Sequence, residues 1–132
     1  DYALEKNWDC AGWCPLGRKA EDGRIRDKYP LQESDSPDYK VRTELNVKHS
    51  DGTLILFEES LDKGTQQAYN YAVEHHKPLL IANINDEKSF VQILNWINMY
   101  CIRDINIAGP RESNQPGIYE KTKRFLVKLF VF

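Results

Sequence analysis

Two kinds of hydrophobic pattern alternate along the second half of this chain. Continuous apolar runs, typical of strands buried on both faces, occupy residues 53–57, 78–84 and 105–108. Segments with apolar residues at helical spacing occupy residues 63–76, 89–101 and 117–130. Strands that alternate with helices of this length form βαβ units around a parallel sheet. The pattern therefore predicts an α/β fold with a mainly parallel sheet.

The first half of the chain has a less regular pattern. Residues 8–13 are mostly apolar and could form a short strand, whereas residues 14–37 have the Pro and Gly content of a loop. A loop of this length in so small a domain hints at function. From Pro37 to Val47 the alternation of apolar residues suits a strand as well as a helix. We predict a helix, because Ser36 is a good N-cap and proline is favoured at the first helical position.

Composition and charge narrow the class of protein. A chain of 132 residues with 41% hydrophobic and 29% charged residues is expected to form one soluble domain around one core. The net charge of −2 does not favour binding to nucleic acid or to an anionic membrane. No apolar run approaches the ~20 residues of a membrane span, and no signal peptide is visible. Three cysteines suggest neither a disulfide scaffold nor a zinc site. We expect a cytoplasmic protein without a metal site.

Candidate binding residues occur in the loops that follow two of the predicted strands. Gly64 and Thr65 begin a helix after the strand at 53–57, and a helix N-terminus with a hydroxyl suits a phosphate-like anion. A second loop after the strand at 105–108 contains Gly109, Arg111, Glu112 and Ser113. Arginine there could bind phosphate, carboxylate or another oxyanion. Ordinary helix capping and a solvated turn are the alternative interpretations.

The long loop and the helix after it add further candidates. The loop combines an aromatic ring, a cation and two carboxylates, in the residues Trp13, Gly17, Arg18, Glu21 and Asp22. Trp13 could stack on a ring, and a carboxylate could hold a hydroxyl or a metal. Arg42 and Asn46 share one helix face and could line a polar pocket. A mobile charged loop and a solvent-facing polar pair remain the alternatives.

Longer motifs in the chain resemble those of the putative molybdenum carrier family. They are residues 12–15, 17–23, 29–33, 42–43 with 46–47, 50–53, 64–65 and 108–113. That family belongs to a Rossmann-like superfamily shared with the Lonely Guy phosphoribohydrolases and the lysine-decarboxylase-like proteins. The resemblance implies a Rossmann-like three-layer α/β/α fold, self-association into a homo-oligomer, and a pocket built from these loops. It also implies carriage of molybdate or molybdenum cofactor, although a nucleotide-like ligand would suit such a pocket too.

Two departures from the family pattern bear on these expectations. Family members usually begin with a strand, a Gly-Gly-Gln-Thr-Gly loop and an Asp-Arg pair, whereas this chain starts within the next helix. We therefore expect such a segment to precede Asp1 in a single Rossmann-like domain. The phosphoribohydrolases carry a catalytic glutamate three residues beyond the Thr of the Gly-Thr turn, where this chain has Ala68. That difference counts against the same hydrolytic mechanism.

Three hypotheses of function follow from these residues. The first is a carrier of a small anionic or nucleotide-like ligand, held by Gly64, Thr65, Arg111 and Ser113. In this hypothesis Arg18, Glu21 and Asp22 cover the ligand, and Arg42 and Asn46 lie beneath it. The second is an enzyme acting on a nucleotide or ribose phosphate, with Glu21, Asp22 or Glu112 as acid or base. The third is a scaffold whose ligand controls association.

Overall fold

The computed structural model describes residues 1–131. In chain order its elements are α1 (Tyr2–Glu5), β1 (Trp13–Cys14), β2 (Lys19–Ala20), β3 (Gly23–Arg24), β4 (Gln32–Glu33), α2 (Tyr39–Lys48), β5 (Gly52–Phe57), α3 (Lys63–Glu74), β6 (Leu79–Asn83), α4 (Lys88–Met99), β7 (Ile105–Ala108) and α5 (Ile118–Leu129). The predicted alternation of strands and helices in the second half is confirmed. None of the helices in residues 1–131 is long and apolar enough to cross a membrane.

A three-stranded parallel sheet forms the centre of the domain. Its strand order is β6-β5-β7, so β5 is hydrogen-bonded on both sides. Thr53 of β5 lies opposite Leu79 of β6 and Asn106 of β7. The residues of β5 are almost fully buried because helices cover both faces of the sheet. The predicted Rossmann-like α/β architecture with a mainly parallel sheet is confirmed.

The main hydrophobic core joins this sheet to two helices. Side chains from the sheet, α4, α5 and the turn after α4 form it: Leu54, Leu56, Ala82, Ile93, Trp96, Ile102, Phe125 and Leu129. The helix α3 also packs against β5, and its small buried residues Ala68 and Ala72 allow a close approach to its neighbours. These contacts fix the strand ends from which the candidate loops begin.

The first half of the chain differs from prediction in three details. The expected strand at residues 8–13 is limited to Trp13–Cys14, which pairs with β4 in parallel. The expected loop at 14–37 contains a small antiparallel hairpin formed by β2 and β3. The helix predicted after Pro37 is confirmed as α2, but its N-cap is Asp38 and not Ser36. Asp38 is the N-cap because its carboxylate accepts the backbone N–H of Lys40 at 2.9 Å.

Candidate functional site

The carboxylate of Asp62 connects the two loops that follow β5 and β7. One oxygen, Oδ1, accepts hydrogen bonds from the backbone N–H and the hydroxyl of Thr65, at 2.9 and 2.7 Å. The other, Oδ2, accepts the backbone N–H of Arg111 at 2.9 Å and the side-chain amide of Asn114 at 3.0 Å. The two candidate loops therefore meet at the carboxyl edge of the sheet, as the order of strands and loops predicts.

Both donors of Thr65 have a partner within the protein. Its N–H and hydroxyl were expected to hold an anion, but Asp62 already occupies both. Burial alone would raise the pKa of Asp62, yet the hydrogen bonds from Thr65, Arg111 and Asn114 outweigh it and lower that pKa. Asp62 is therefore a built-in carboxylate where an external anion was predicted. Its position three residues before Thr65 is the usual N-cap spacing, a signal that the sequence did contain.

The two glycines of these loops have different surroundings. A Cβ at Gly109 would lie 2.7 Å from the carbonyl oxygen of Leu56, so the loop can approach β5 only without a side chain there. At Gly64 the nearest atom to an added Cβ is Oδ1 of Asp62 at 3.8 Å, an ordinary contact. Gly109 thus has a packing role, whereas Gly64 leaves room at the start of α3.

Glu112 has a structural role that differs from the predicted one. Its two carboxylate oxygens accept the backbone N–H groups of Gly117 and Tyr119, at 2.7 and 3.0 Å. These bonds cap α5 and lower the pKa of Glu112. A carboxyl with a lowered pKa is a poor general acid near neutral pH. The neighbouring Ser113 is exposed and makes no hydrogen bond to another of residues 1–131.

Arg18 was expected to cover a ligand but binds its own loop. Its guanidinium donates hydrogen bonds of 2.8 to 3.1 Å to four backbone carbonyl oxygens, those of Ile25, Arg26, Tyr29 and Leu31. Of the five N–H donors of an arginine, four are thus used within the loop. The side chain is buried, and it fixes the shape of the segment between β3 and β4.

Most of the other loop candidates also have partners within the protein. The side-chain amide of Asn46 accepts the N–H of Trp13 at 2.8 Å and donates to its carbonyl oxygen at 3.2 Å, which attaches β1 to α2. The N–H of Gly17 donates to the carboxylate of Glu33 at 2.7 Å. Glu21 and Asp22 are exposed at the tip of the β2–β3 hairpin. The contacts of Asn46 and Gly17 fix the shape of the loop.

Three cations gather around the ring of Tyr39, the first residue of α2. The ammonium of Lys19 lies 4.5 Å from the ring centre, the guanidinium of Arg111 at 4.8 Å and that of Arg42 at 5.3 Å. These distances are within the range of cation–π attraction. Within residues 1–131 none of the three cations forms an ion pair with a carboxylate. We call Lys19, Tyr39, Arg42 and Arg111 the Tyr39 cluster.

Burial and a neighbouring like charge both act on Arg42 of the Tyr39 cluster. The pKa of Arg42 is lowered first by burial, and further by the positive charge of Arg111, although nearby Tyr39 and Cys14 act in the opposite direction. Arginine remains protonated at neutral pH despite such a shift. Two of the predicted binding residues, Arg42 and Arg111, are therefore brought together. Lys19 and Tyr39 were missed, because no local spacing relates the hairpin to the start of α2.

Comparison with known proteins agrees with this architecture. A sequence model described as the circularly permutated YpsA SLOG family matches residues 1–130. The chain belongs to this family. It is also similar to a crystal structure of the putative molybdenum carrier protein from Syntrophus aciditrophicus SB, with 36% sequence identity and a TM-score of 0.95. The match covers 99% of this chain and 85% of that one. The resemblance to molybdenum carriers is confirmed. A search of curated proteins gave no match.

Proposed function

We propose that this protein binds and carries a small anionic ligand at the Tyr39 cluster. The observation that carries the proposal is the position of Arg42 and Arg111, which face one ring without a carboxylate partner in residues 1–131. A protein that holds like charges close together stabilises them best by binding an opposite charge between them. Guanidinium groups offer the planar paired donors that oxyanions accept.

The identity of the anion is suggested by the similar protein. A protein that is 36% identical over 99% of this chain is named a putative molybdenum carrier, so molybdate is the first candidate ligand. The phosphate of molybdenum cofactor or of a nucleotide is the second, since it offers the same oxygen acceptors. The exposed Ser113, Glu21 and Asp22 remain available to contact the rest of a larger ligand.

The test is isothermal titration calorimetry of the full chain with molybdate, phosphate and a nucleoside monophosphate. Arg111→Gln is expected to weaken binding of the preferred anion by about 1–3 kcal/mol, the range for loss of a charged hydrogen-bond partner. Arg124→Gln is the matched control, because Arg124 is an exposed arginine on α5 outside the cluster. Equal affinities for the wild type and the Arg111 variant would contradict the proposal.

An enzyme that acts on a nucleotide or ribose phosphate is the rival hypothesis. Glu112 is a weak candidate because it caps α5 with a lowered pKa. Glu21 and Asp22 are therefore the acids to test. Loss of turnover in Glu21→Gln with unchanged binding would favour the enzyme.

A ligand-controlled homo-oligomer is the third hypothesis. It predicts a change of molecular mass when the anion is added, which light scattering would measure.

A further inference from the structure

We propose that the Tyr39 cluster selects a tetrahedral oxyanion with two negative charges, and that Lys19 is the residue that sets this preference. This inference rests on the proposed function, because it names the ligand class of the same site. It adds a binding residue, Lys19, that was not among the individual candidate residues named from the sequence. It also predicts which anions the site should reject.

The first step is the convergence of three separate segments on one ring. Lys19 comes from the β2–β3 hairpin, Arg42 from the helix α2 and Arg111 from the loop after β7. Each cationic group lies at most 5.3 Å from the centre of the Tyr39 ring, so any two of them are separated by no more than twice that distance. An anion bound beside one of the three groups is therefore within electrostatic range of the other two, because these distances are comparable to the Debye length of about 10 Å at 0.1 M salt.

The second step is that the charge of the cluster is not compensated locally. The ion pairs of residues 1–131 use other cations, although the chain contains 20 acidic and only 18 basic residues. Three unpaired cations at one place in a chain with net charge −2 are not explained by general basicity. Bound to this cluster, an ion with one charge would leave two positive charges without a counter-charge. An ion with two negative charges would leave only one positive charge without a counter-charge.

The third step concerns the shape and chemistry of the ligand. Tyr39 already has cations over its ring, so the ring is engaged in cation–π contacts. The contacts that the cluster can offer are N–H donors from two guanidiniums and one ammonium. Oxyanion oxygens are the acceptors that match such donors. The cluster thus fits the charged head of a ligand, either as a free tetrahedral ion or as a phosphoryl group.

Tungstate and perrhenate provide a direct test, because both are tetrahedral oxyanions of nearly equal size and differ by one unit of charge. Calorimetry of the full chain with their sodium salts is done at constant ionic strength and mildly alkaline pH, where tungstate is a monomeric dianion. We expect tungstate to bind on the order of tenfold more tightly than perrhenate. Inorganic phosphate and AMP then distinguish a free oxyanion from the phosphoryl group of a larger ligand.

Variants of Lys19 test its assigned role. Lys19→Gln is expected to weaken tungstate binding on the order of tenfold and perrhenate binding less, so that the ratio of the two affinities falls. Lys19→Arg is expected to retain the ratio. Lys40→Gln is the control, because Lys40 is an exposed lysine in the first turn of α2 that does not lie over the ring.

Each outcome separates this inference from the proposed function. Equal affinity for tungstate and perrhenate, or an unchanged ratio in Lys19→Gln, would overturn the inference while Arg111→Gln still weakened anion binding. Failure of tungstate, inorganic phosphate and AMP to bind, together with perrhenate binding that depends on Arg111, would overturn it as well. Anion binding that depends on neither Arg42 nor Arg111 would instead remove the proposed function.

Discussion

The backbone N–H of Arg111 donates a 2.9 Å hydrogen bond to the carboxylate of Asp62, and this bond joins the loops after β5 and β7. The same carboxylate caps α3 through the N–H and hydroxyl of Thr65. One side chain therefore determines both where α3 begins and where the Arg111 backbone lies. The position of the Arg111 guanidinium near Tyr39 depends on that backbone. A structural carboxylate thus organises a cationic site without neutralising it.

The first prediction concerns this carboxylate. Asp62→Ala removes hydrogen bonds to Thr65, Arg111 and Asn114, so we expect the free energy of unfolding to fall by about 1–3 kcal/mol. Urea denaturation followed by circular dichroism measures the change. Asp86→Ala is the matched control, since among residues 1–131 the Asp86 side chain accepts only the nearby N–H of Lys88, so its loss should cost less. Equal losses in the two variants would contradict the role of Asp62.

The second prediction is a dependence of stability on pH. Burial raises the pKa of Asp62, but its hydrogen bonds prevail and the folded-state pKa lies below the ordinary value. Its contribution to stability is therefore complete above the unfolded-state pKa of about 3.9 and is lost as pH falls through the folded-state pKa. Urea midpoints measured from neutral to acid pH should decline less steeply in Asp62→Asn. Asp51 and Glu112, which also have lowered pKa values, should retain part of the decline.

The elements of the second half could be predicted because their signals are local. The buried run of β5 and the apolar spacing of α4 extend over enough residues to show a period. In contrast, the strands β1 to β4 contain only two residues each, too few for any period. Their pairing depends on distant contacts such as the bond between Asn46 and Trp13, which no local pattern indicates.

The candidate site was predictable only in part, for a related reason. Arg111 follows a strand end directly, so its place at the edge of the sheet could be inferred from the order of elements. The approach of Lys19 to Tyr39 is a tertiary contact between a hairpin and a helix start. Arginine is a residue type that often binds anionic ligands, so Arg18 was a reasonable candidate. Its partners are backbone carbonyl oxygens, and no sequence pattern indicates such contacts.

The third prediction tests this role of Arg18. Arg18→Lys keeps the charge but cannot reach four carbonyl oxygens at once, so we expect the segment from Ile25 to Leu31 to open more often. Chymotrypsin should then cleave after Leu31 faster than in the wild type, with the fragments identified by mass spectrometry; the Tyr29–Pro30 bond resists this protease and is not expected to be cut. Arg26→Lys serves as the control, because the exposed Arg26 contributes its carbonyl oxygen and not its side chain. Unchanged cleavage in Arg18→Lys would refute the assignment.

The last prediction compares alanine at two loop glycines. In Gly109→Ala the new Cβ would lie 2.7 Å from the carbonyl oxygen of Leu56, a backbone atom of β5 that cannot easily move. We expect a loss of about 1–3 kcal/mol in the free energy of unfolding, from strain of this kind. A weaker affinity for tungstate should accompany it, because the backbone of Arg111 would shift.

Gly64→Ala should behave in the opposite way, because its new Cβ meets only Asp62 Oδ1 at 3.8 Å and the position is helical. Replacing a helical glycine by alanine typically stabilises by roughly 0.5–1 kcal/mol. If the ligand binds at the Tyr39 cluster and not against the start of α3, tungstate affinity in Gly64→Ala should equal that of the wild type. If Gly64→Ala instead lost tungstate binding while remaining stable, the binding site would have to be reassigned to the N-terminus of α3, where the sequence analysis predicted an anion.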